Sequence, residues 1–261
     1  MTGWAAANTS RRAAFTPSPV FLGLVALWVT GGVLAWWEIG NPTINVLIFI
    51  LAGWVVSLSL HEFSHALFAY RSGDRSVVDR GYLTLNPLKY THPLLSIGLP
   101  LLFLLLGGIG LPGGAVYVDR HAVHSKVKAS LISAAGPAAN LAFLLVLLVP
   151  FVIGLDTRAH PTFWAAWAWF TFLQLMAVVL NLLPVPGLDG GNIVRPWLSG
   201  DAARVFDVVA NFGMLIVFAI LWTPQLNALF FGFLDLTAEG LGIPSSLWFE
   251  GLRLMAPWRY G

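Results

Sequence analysis

The amino-acid sequence has 261 residues, of which 57% are hydrophobic and only 10% are charged. Because soluble domains are about one quarter charged, this composition argues against a water-soluble fold and predicts a helical protein embedded in a lipid bilayer. The absence of cysteine excludes disulfides, thiolate metal sites and cysteine nucleophiles, and a net charge of only +2 without interleaved basic and aromatic residues argues against a nucleic-acid partner.

The chain begins with a polar tail, residues 1–20, followed by an apolar run over 21–37. Arg11 and Arg12 precede this run, an arrangement that is also typical of a signal sequence. No small-x-small cleavage site follows the run, which continues through Trp36 and Trp37. We therefore expect an uncleaved first membrane helix.

Four later apolar runs are long enough to cross a hydrocarbon core of about 30 Å. They cover residues 44–70, 129–155, 163–183 and 205–222. Two shorter runs, 226–236 and 246–255, predict interfacial or half-length helices. The predicted fold class is all-α: a polytopic transmembrane helical bundle with about five to six spans, built as one domain over 1–261.

A further apolar run, residues 94–111, is interrupted by five glycine and proline residues. These interruptions predict a broken segment that enters the membrane and returns on the same side, which is tolerable only where protein or water shields its backbone. The following residues 115–118 have the alternation of a short strand-like element.

The second span contains the pentapeptide HEFSH, residues 61–65. His61 and His65 are four residues apart, so on a helix they project from one face one turn apart, a spacing suited to binding one zinc ion. Glu62 lies beside them and can accept a proton from metal-bound water. The alternative is that these three residues form a solvated helix face by chance.

The location of HEFSH argues against chance. Apolar residues 51–60 precede the motif and residues 66–69 follow it. Ionisable groups within a membrane span cost several kcal/mol unless they are paired, solvated or metal-bound, so they indicate a functional site.

Two histidines and one water leave a catalytic zinc site with one protein ligand missing. Asp189 is the acid, apart from Glu62, that is tied to the end of a long apolar run, in the stretch NLLPVPGLDGG over 181–191. Pro184 and Pro186 break the helix there, so unwound chain can present the carboxylate within the membrane. The alternative is that Asp189 caps the next helix, and both roles can hold together.

The distribution of basic residues bears on orientation. If the 94–111 segment returns to the side it entered, His61, His65 and Asp189 come to one face, together with most of the Lys and Arg residues. The positive-inside rule then predicts a site facing the cytoplasm. His121 and His124 lie in a polar loop, where a solvated role is expected, and His160 lies on the opposite face.

The combination of HEFSH with NLLPVPGLDGG resembles the site-2 protease family of intramembrane zinc metalloproteases, peptidase M50. The intervening AGPAANL, residues 135–141, resembles that family's Gly-Pro-x-x-Asn helix, and TLNPLK, residues 84–89, resembles its short bacterial or archaeal branch without a PDZ domain. The resemblance covers about residues 44–200, which would form the catalytic core.

The resemblance implies that His61, His65 and Asp189 bind one Zn²⁺ per chain and that Glu62 is the general base. It also implies that Asn140 lies near the site and polarises the scissile carbonyl. The substrate would be a transmembrane protein. The protease itself would be a multi-pass protein of a prokaryotic cell membrane, in contact with the lipid bilayer. The alternative functions are a membrane metal-ion transporter and a metal-binding scaffold without proteolysis, since both can use the same ligands.

Overall fold

The computed structural model of the protein describes residues 15–90, 97–107, 117, 119 and 122–260. Its regular elements are helical, and none of these residues lies in a strand. The α-helices are α1 (Pro19–Trp36), α2 (Pro42–Ser72), α3 (Ser76–Asp79), α4 (Leu99–Gly107), α5 (Lys126–Val152), α6 (Pro161–Leu182), α7 (Asp189–Val194), α8 (Gly200–Ala210), α9 (Gly213–Trp222), α10 (Pro224–Gly240), α11 (Ser245–Met255) and α12 (Pro257–Tyr260). Short 3₁₀ helices cover Tyr82–Thr84, Pro87–Lys89 and Arg195–Trp197.

Four of these helices, α1, α2, α5 and α6, are long and apolar enough to cross a membrane, and the bent pair of α8 and α9 can form a fifth span. At 1.5 Å per residue, the 31 residues of α2 extend about 46 Å, which exceeds the thickness of a hydrocarbon core. The predicted all-α polytopic bundle is thus confirmed. The count of four to five spans in the described part meets the predicted range at its lower end.

The starts of the long helices follow from local sequence. Proline occupies the first position of α1, α2 and α6, where its missing N–H and fixed φ favour a helix start. The Ser18 hydroxyl accepts a hydrogen bond from the Phe21 amide, and the Asn41 side chain does the same for the Ile44 amide. These caps fix where α1 and α2 begin.

Helix α6 lies at the centre of the bundle and packs against α2, α5 and α11. Most of its residues are buried, among them Phe170, Leu173 and Met176. Helix α11, predicted to be interfacial or half-length, packs on α6: a Cβ on Gly251 would overlap the Ala165 carbonyl oxygen. The close approach of α2, α5 and α6 brings polar side chains from all three helices together inside the bundle.

The predicted span over 205–222 is not one straight helix. The structure divides it into α8 and α9, which are bent by 69° relative to one another. Gly213, the first residue of α9, lies against the 183–188 stretch, because a Cβ there would overlap the Pro186 carbonyl oxygen. The bend therefore lies where the chain contacts the 183–188 stretch, and hydrophobicity alone does not reveal that contact.

Two predicted elements fall wholly or partly outside the described residues. For the broken segment over 94–111, the structure describes α4, whose nine residues extend about 13.5 Å, under half of a hydrocarbon core. That helix alone does not cross a membrane, and the re-entrant path stays a prediction. Of the strand-like element over 115–118, only Tyr117 is described.

Candidate metal centre

The two histidines of HEFSH lie one turn apart on the buried face of α2. His61 is 5% exposed and His65 is 7% exposed, and Glu62 is 2% exposed between them. The apolar residues before the motif continue the same helix from Pro42, so the pair is held on a rigid element inside the bundle. Such burial excludes the solvated helix face considered above.

Asp189 reaches the same place from the other end of the sequence. Helix α6 ends at Leu182, an irregular stretch over 183–188 follows, and Asp189 is the first residue of α7. Leu188, and not Asp189, occupies the N-cap position, and the Asp189 carboxylate instead faces the histidines. Its Oδ2 lies 3.1 Å from His61 Nε2 and 3.4 Å from His65 Nε2.

Glycines shape the stretch that presents Asp189. Gly187 has φ +96°, a left-handed conformation that residues with a Cβ rarely adopt. A Cβ on Gly190 would overlap the Leu182 carbonyl oxygen, and one on Gly191 would overlap the Val185 carbonyl oxygen. The chain after Asp189 thus folds back against the end of α6, and this tight return fixes the position of the carboxylate.

The donor atoms of His61, His65 and Asp189 fit a metal ion. All three lie within 4.8 Å of one another, and the two Nε2 atoms are 3.0 Å apart. Two ligand atoms bound to tetrahedral zinc at about 2.0–2.1 Å lie about 3.3–3.4 Å apart. The observed separations of 3.0, 3.1 and 3.4 Å come within a few tenths of an ångström of that value.

The other ring nitrogens explain why both Nε2 atoms offer lone pairs. His61 Nδ1 lies 2.5 Å from Asn140 Oδ1, and His65 Nδ1 lies 2.6 Å from the Ile132 carbonyl oxygen. Both partners are acceptors, so in the neutral imidazole each Nδ1 carries the proton and each Nε2 has a lone pair for a cation. Two nitrogen lone pairs and a carboxylate oxygen then converge, an arrangement that a cation stabilises.

Gly136 of the GPAAN motif leaves the space beside these atoms open. A Cβ on Gly136 would overlap His65 Nε2 and lie 2.5 Å from His61 Nε2. The glycine therefore lets α5 approach the histidine pair closely, and Asn140 follows one turn later on the same helix to contact His61 from the Nδ1 side.

Sequence reasoning missed three further polar residues next to the site. Ser57 and Gln174 hydrogen-bond to one another and to Asn140. The hydroxyl of Tyr90 donates to the Ser59 carbonyl at 3.2 Å, and burial together with the Glu62 carboxylate raises the pKa of this phenol. Polar residues within apolar helices were the available indication for Ser57 and Gln174, but their partners are distant in sequence.

Of the remaining histidines, the two that the structure describes, His124 and His160, do not join the centre. His124 is exposed, in agreement with the predicted solvated role, and His160 contacts Trp36 at the α6 N-terminus. His92 and His121 lie outside the described residues.

Comparison with known proteins identifies relatives along most of the chain. The model of "Peptidase family M50" matches residues 150–223. A Mycolicibacterium smegmatis protein named "Putative zinc metalloprotease Rip2" is 47% identical over 253 residues, which cover 95% of this chain and 96% of that protein. A Mycobacterium tuberculosis protein of the same name is 45% identical over 231 residues, covering 86% and 88%.

A more distant relative, "Putative zinc metalloprotease YwhC" of Bacillus subtilis, is 29% identical over 195 residues, covering 69% of this chain and 83% of that protein. No solved structure is significantly similar to the chain. The family resemblance of the motifs and the similarity along nearly the whole length agree, and the chain belongs to peptidase family M50, the site-2 protease family.

Proposed function

We propose that this protein is an intramembrane zinc metalloprotease that cleaves transmembrane proteins. The observation that supports it most is the convergence of His61, His65 and Asp189 inside a bundle of membrane-length helices. Two relatives with the name Rip2 are named zinc metalloproteases, which supports the same activity and the same metal.

His61, His65 and Asp189 are the proposed ligands of one Zn²⁺ per chain. Two imidazoles and one carboxylate form a common three-ligand set for catalytic zinc, which leaves a fourth position for water or substrate. When bound, zinc polarises the scissile carbonyl and makes water a stronger nucleophile at neutral pH.

Glu62 is the proposed general base. It follows His61 directly on α2 and is buried, so its carboxylate is positioned beside the ligand pair by the same helix. In this role Glu62 accepts a proton from the attacking water and then delivers it to the leaving amine. Because helical hydrogen bonds shield a peptide carbonyl, the substrate must unwind locally before cleavage.

The proposed setting is a multi-pass protein of a prokaryotic cell membrane, with residues 44–200 as the catalytic core of a single domain. The bacterial relatives support the prokaryotic membrane. The concentration of Lys and Arg on the side of His61 supports an active site that faces the cytoplasm.

Cleavage of a membrane-spanning reporter in proteoliposomes tests this function. We expect Glu62→Gln to lower the cleavage rate by at least about 100-fold, since loss of a general base costs that much or more. Exposed Glu239→Gln is the matched control and should cleave at the wild-type rate. Equal rates for wild type and Glu62→Gln would contradict the proposal and favour a metal transporter or scaffold.

A further inference from the structure

A chain of buried polar side chains extends from His61 away from the metal centre. Ser57 on α2, Asn140 on α5 and Gln174 on α6 are 3%, 4% and 0% exposed. The Ser57 hydroxyl donates to Gln174 Oε1 at 2.7 Å, and Asn140 Nδ2 lies 2.9 Å from Ser57 Oγ and 3.1 Å from Gln174 Oε1. This cluster connects all three helices that surround the site.

The hydrogen bonds of Asn140 decide what its side chain can do. Its Oδ1 accepts from His61 Nδ1, and its Nδ2 donates toward Ser57 Oγ and Gln174 Oε1. These two acceptors are only 2.7 Å apart, so they lie on the same side of Nδ2 and together hold this end of the amide.

The orientation of the Asn140 amide is set by Gln174. If the amide were rotated by 180°, Asn140 Oδ1 would face Gln174 Oε1, and two oxygen acceptors would meet without a hydrogen between them. Nδ2 would then donate to His61 Nδ1, and a neutral His61 would have to carry its proton on Nε2 instead. With Oε1 facing both Ser57 Oγ and Asn140 Nδ2, Gln174 therefore favours the orientation in which Asn140 accepts from His61, and Gln174 Nε2 is buried without a hydrogen-bond partner among the described residues.

We propose that Gln174 and Ser57 are positioning residues of the metal centre, which hold Asn140 so that His61 presents an unprotonated Nε2 toward Asp189. The inference rests on the proposed zinc site, because Ser57 and Gln174 would act by orienting His61, one of the proposed zinc ligands. In this proposal Asn140, which contacts His61 directly, is a positioning residue that acts through His61.

His61 and His65 differ in the group that accepts a hydrogen bond from Nδ1. His65 donates its Nδ1 proton to the Ile132 backbone carbonyl, which every residue type supplies, whereas His61 depends on side chains from α5 and α6. Side-chain substitutions in the Ser57, Asn140 and Gln174 cluster should therefore affect metal binding through His61.

The affinity for Zn²⁺, measured in detergent by competition with a fluorescent chelator, tests the proposal. We expect Ser57→Ala and Gln174→Met to bind Zn²⁺ about 10- to 100-fold more weakly than wild type, the usual cost of losing a group that orients a ligand. The matched controls are Ser59→Ala and Thr171→Val, which remove buried hydroxyls that donate only to carbonyls of their own helices. Both controls should keep the wild-type affinity.

Two results are decisive. Wild-type affinity in both Ser57→Ala and Gln174→Met would overturn the positioning role while leaving the proposed function intact. A wild-type protein that binds no Zn²⁺ would overturn the proposed function and, with it, this inference.

Substitutions of Asn140 separate positioning from carbonyl polarisation. Asn140→Asp keeps an oxygen acceptor for His61 Nδ1, and Gln174 can turn its unpartnered Nε2 toward the second carboxylate oxygen, so this variant should retain Zn²⁺ affinity, whereas Asn140→Leu should lose it by about 10-fold or more. If Asn140→Leu instead keeps the wild-type Zn²⁺ affinity but loses cleavage, Asn140 acts on the substrate and the positioning role is wrong.

Discussion

The two ends of the helical bundle each combine a histidine with an acid, yet only one of them has the geometry of a metal centre. At the α6 N-terminus, the Glu38 carboxylate accepts from the Thr162 amide and hydroxyl, and His160 Nδ1 lies 2.7 Å from the Trp36 carbonyl oxygen. These groups tie α1 to the start of α6. At the other end, His61, His65 and Asp189 direct three lone-pair atoms at one another.

The difference shows that the direction and burial of the donor atoms, more than the residue types, decide whether a group of side chains can hold a metal ion. His160 stacks on the Trp36 ring with centroids 3.7 Å apart and is only half-buried. The histidine pair is buried on a membrane-length helix, and each Nδ1 is already occupied. The first group can stabilise a helix end, whereas the second provides a site for a cation.

The largest expected contrast is between His61 and His160. His61→Ala removes one of the three proposed ligands and should lower Zn²⁺ affinity by more than about 100-fold, and cleavage should be lost with it. His160→Ala should leave Zn²⁺ affinity unchanged. Chelator competition on both variants measures this contrast. Equal Zn²⁺ affinities would mean that His61 contributes no more to metal binding than His160 does.

Gly136 offers a second contrast, because its replacement adds a methyl group beside the histidine nitrogens without removing any ligand. Gly136→Ala places a Cβ in the space next to both Nε2 atoms and should weaken Zn²⁺ binding by about 10-fold or more. Gly232→Ala is the matched control, since it is also helical and a Cβ there meets nothing within 4 Å. Unchanged Zn²⁺ affinity in Gly136→Ala would show that the space beside the nitrogens is not used.

The smallest expected effect is at the opposite end. Glu38→Ala removes the acceptor for two Thr162 donors and should lower the free energy of unfolding by about 1 kcal/mol, the typical value of a helix cap. Thermal unfolding in detergent would register this as a lower midpoint, while cleavage and Zn²⁺ affinity stay at wild-type values. A loss of cleavage in the folded Glu38→Ala variant would show that Glu38 affects activity and not only stability.

The sequence predicted the long helices well because their causes are local. Apolar runs define the four membrane-length helices without reference to the rest of the chain, and N-terminal prolines mark the start of three of them, α1, α2 and α6. The bend between α8 and α9 was missed because residues 205–222 read as one apolar run, whereas the contact of Gly213 with Pro186 at the bend joins residues that are distant in sequence.

The same distinction applies to the site. The spacing of His61 and His65 is a local property of one helix, and the proline-broken stretch before Asp189 singled out that carboxylate. The structure brings all three together, and their role as ligands stays a prediction. The pairing of Ser57 with Gln174 could not be predicted, because the two residues are 117 positions apart and neither belongs to a recognisable motif.

The metal content of the purified protein tests the central claim most directly. Elemental analysis of wild type and Asp189→Ala, purified in the same detergent, would measure zinc per chain. We predict about one zinc per wild-type chain, as in a three-ligand catalytic site, and loss of that zinc from a folded Asp189→Ala variant. Undiminished zinc in Asp189→Ala, or none in wild type, would contradict a centre formed by His61, His65 and Asp189.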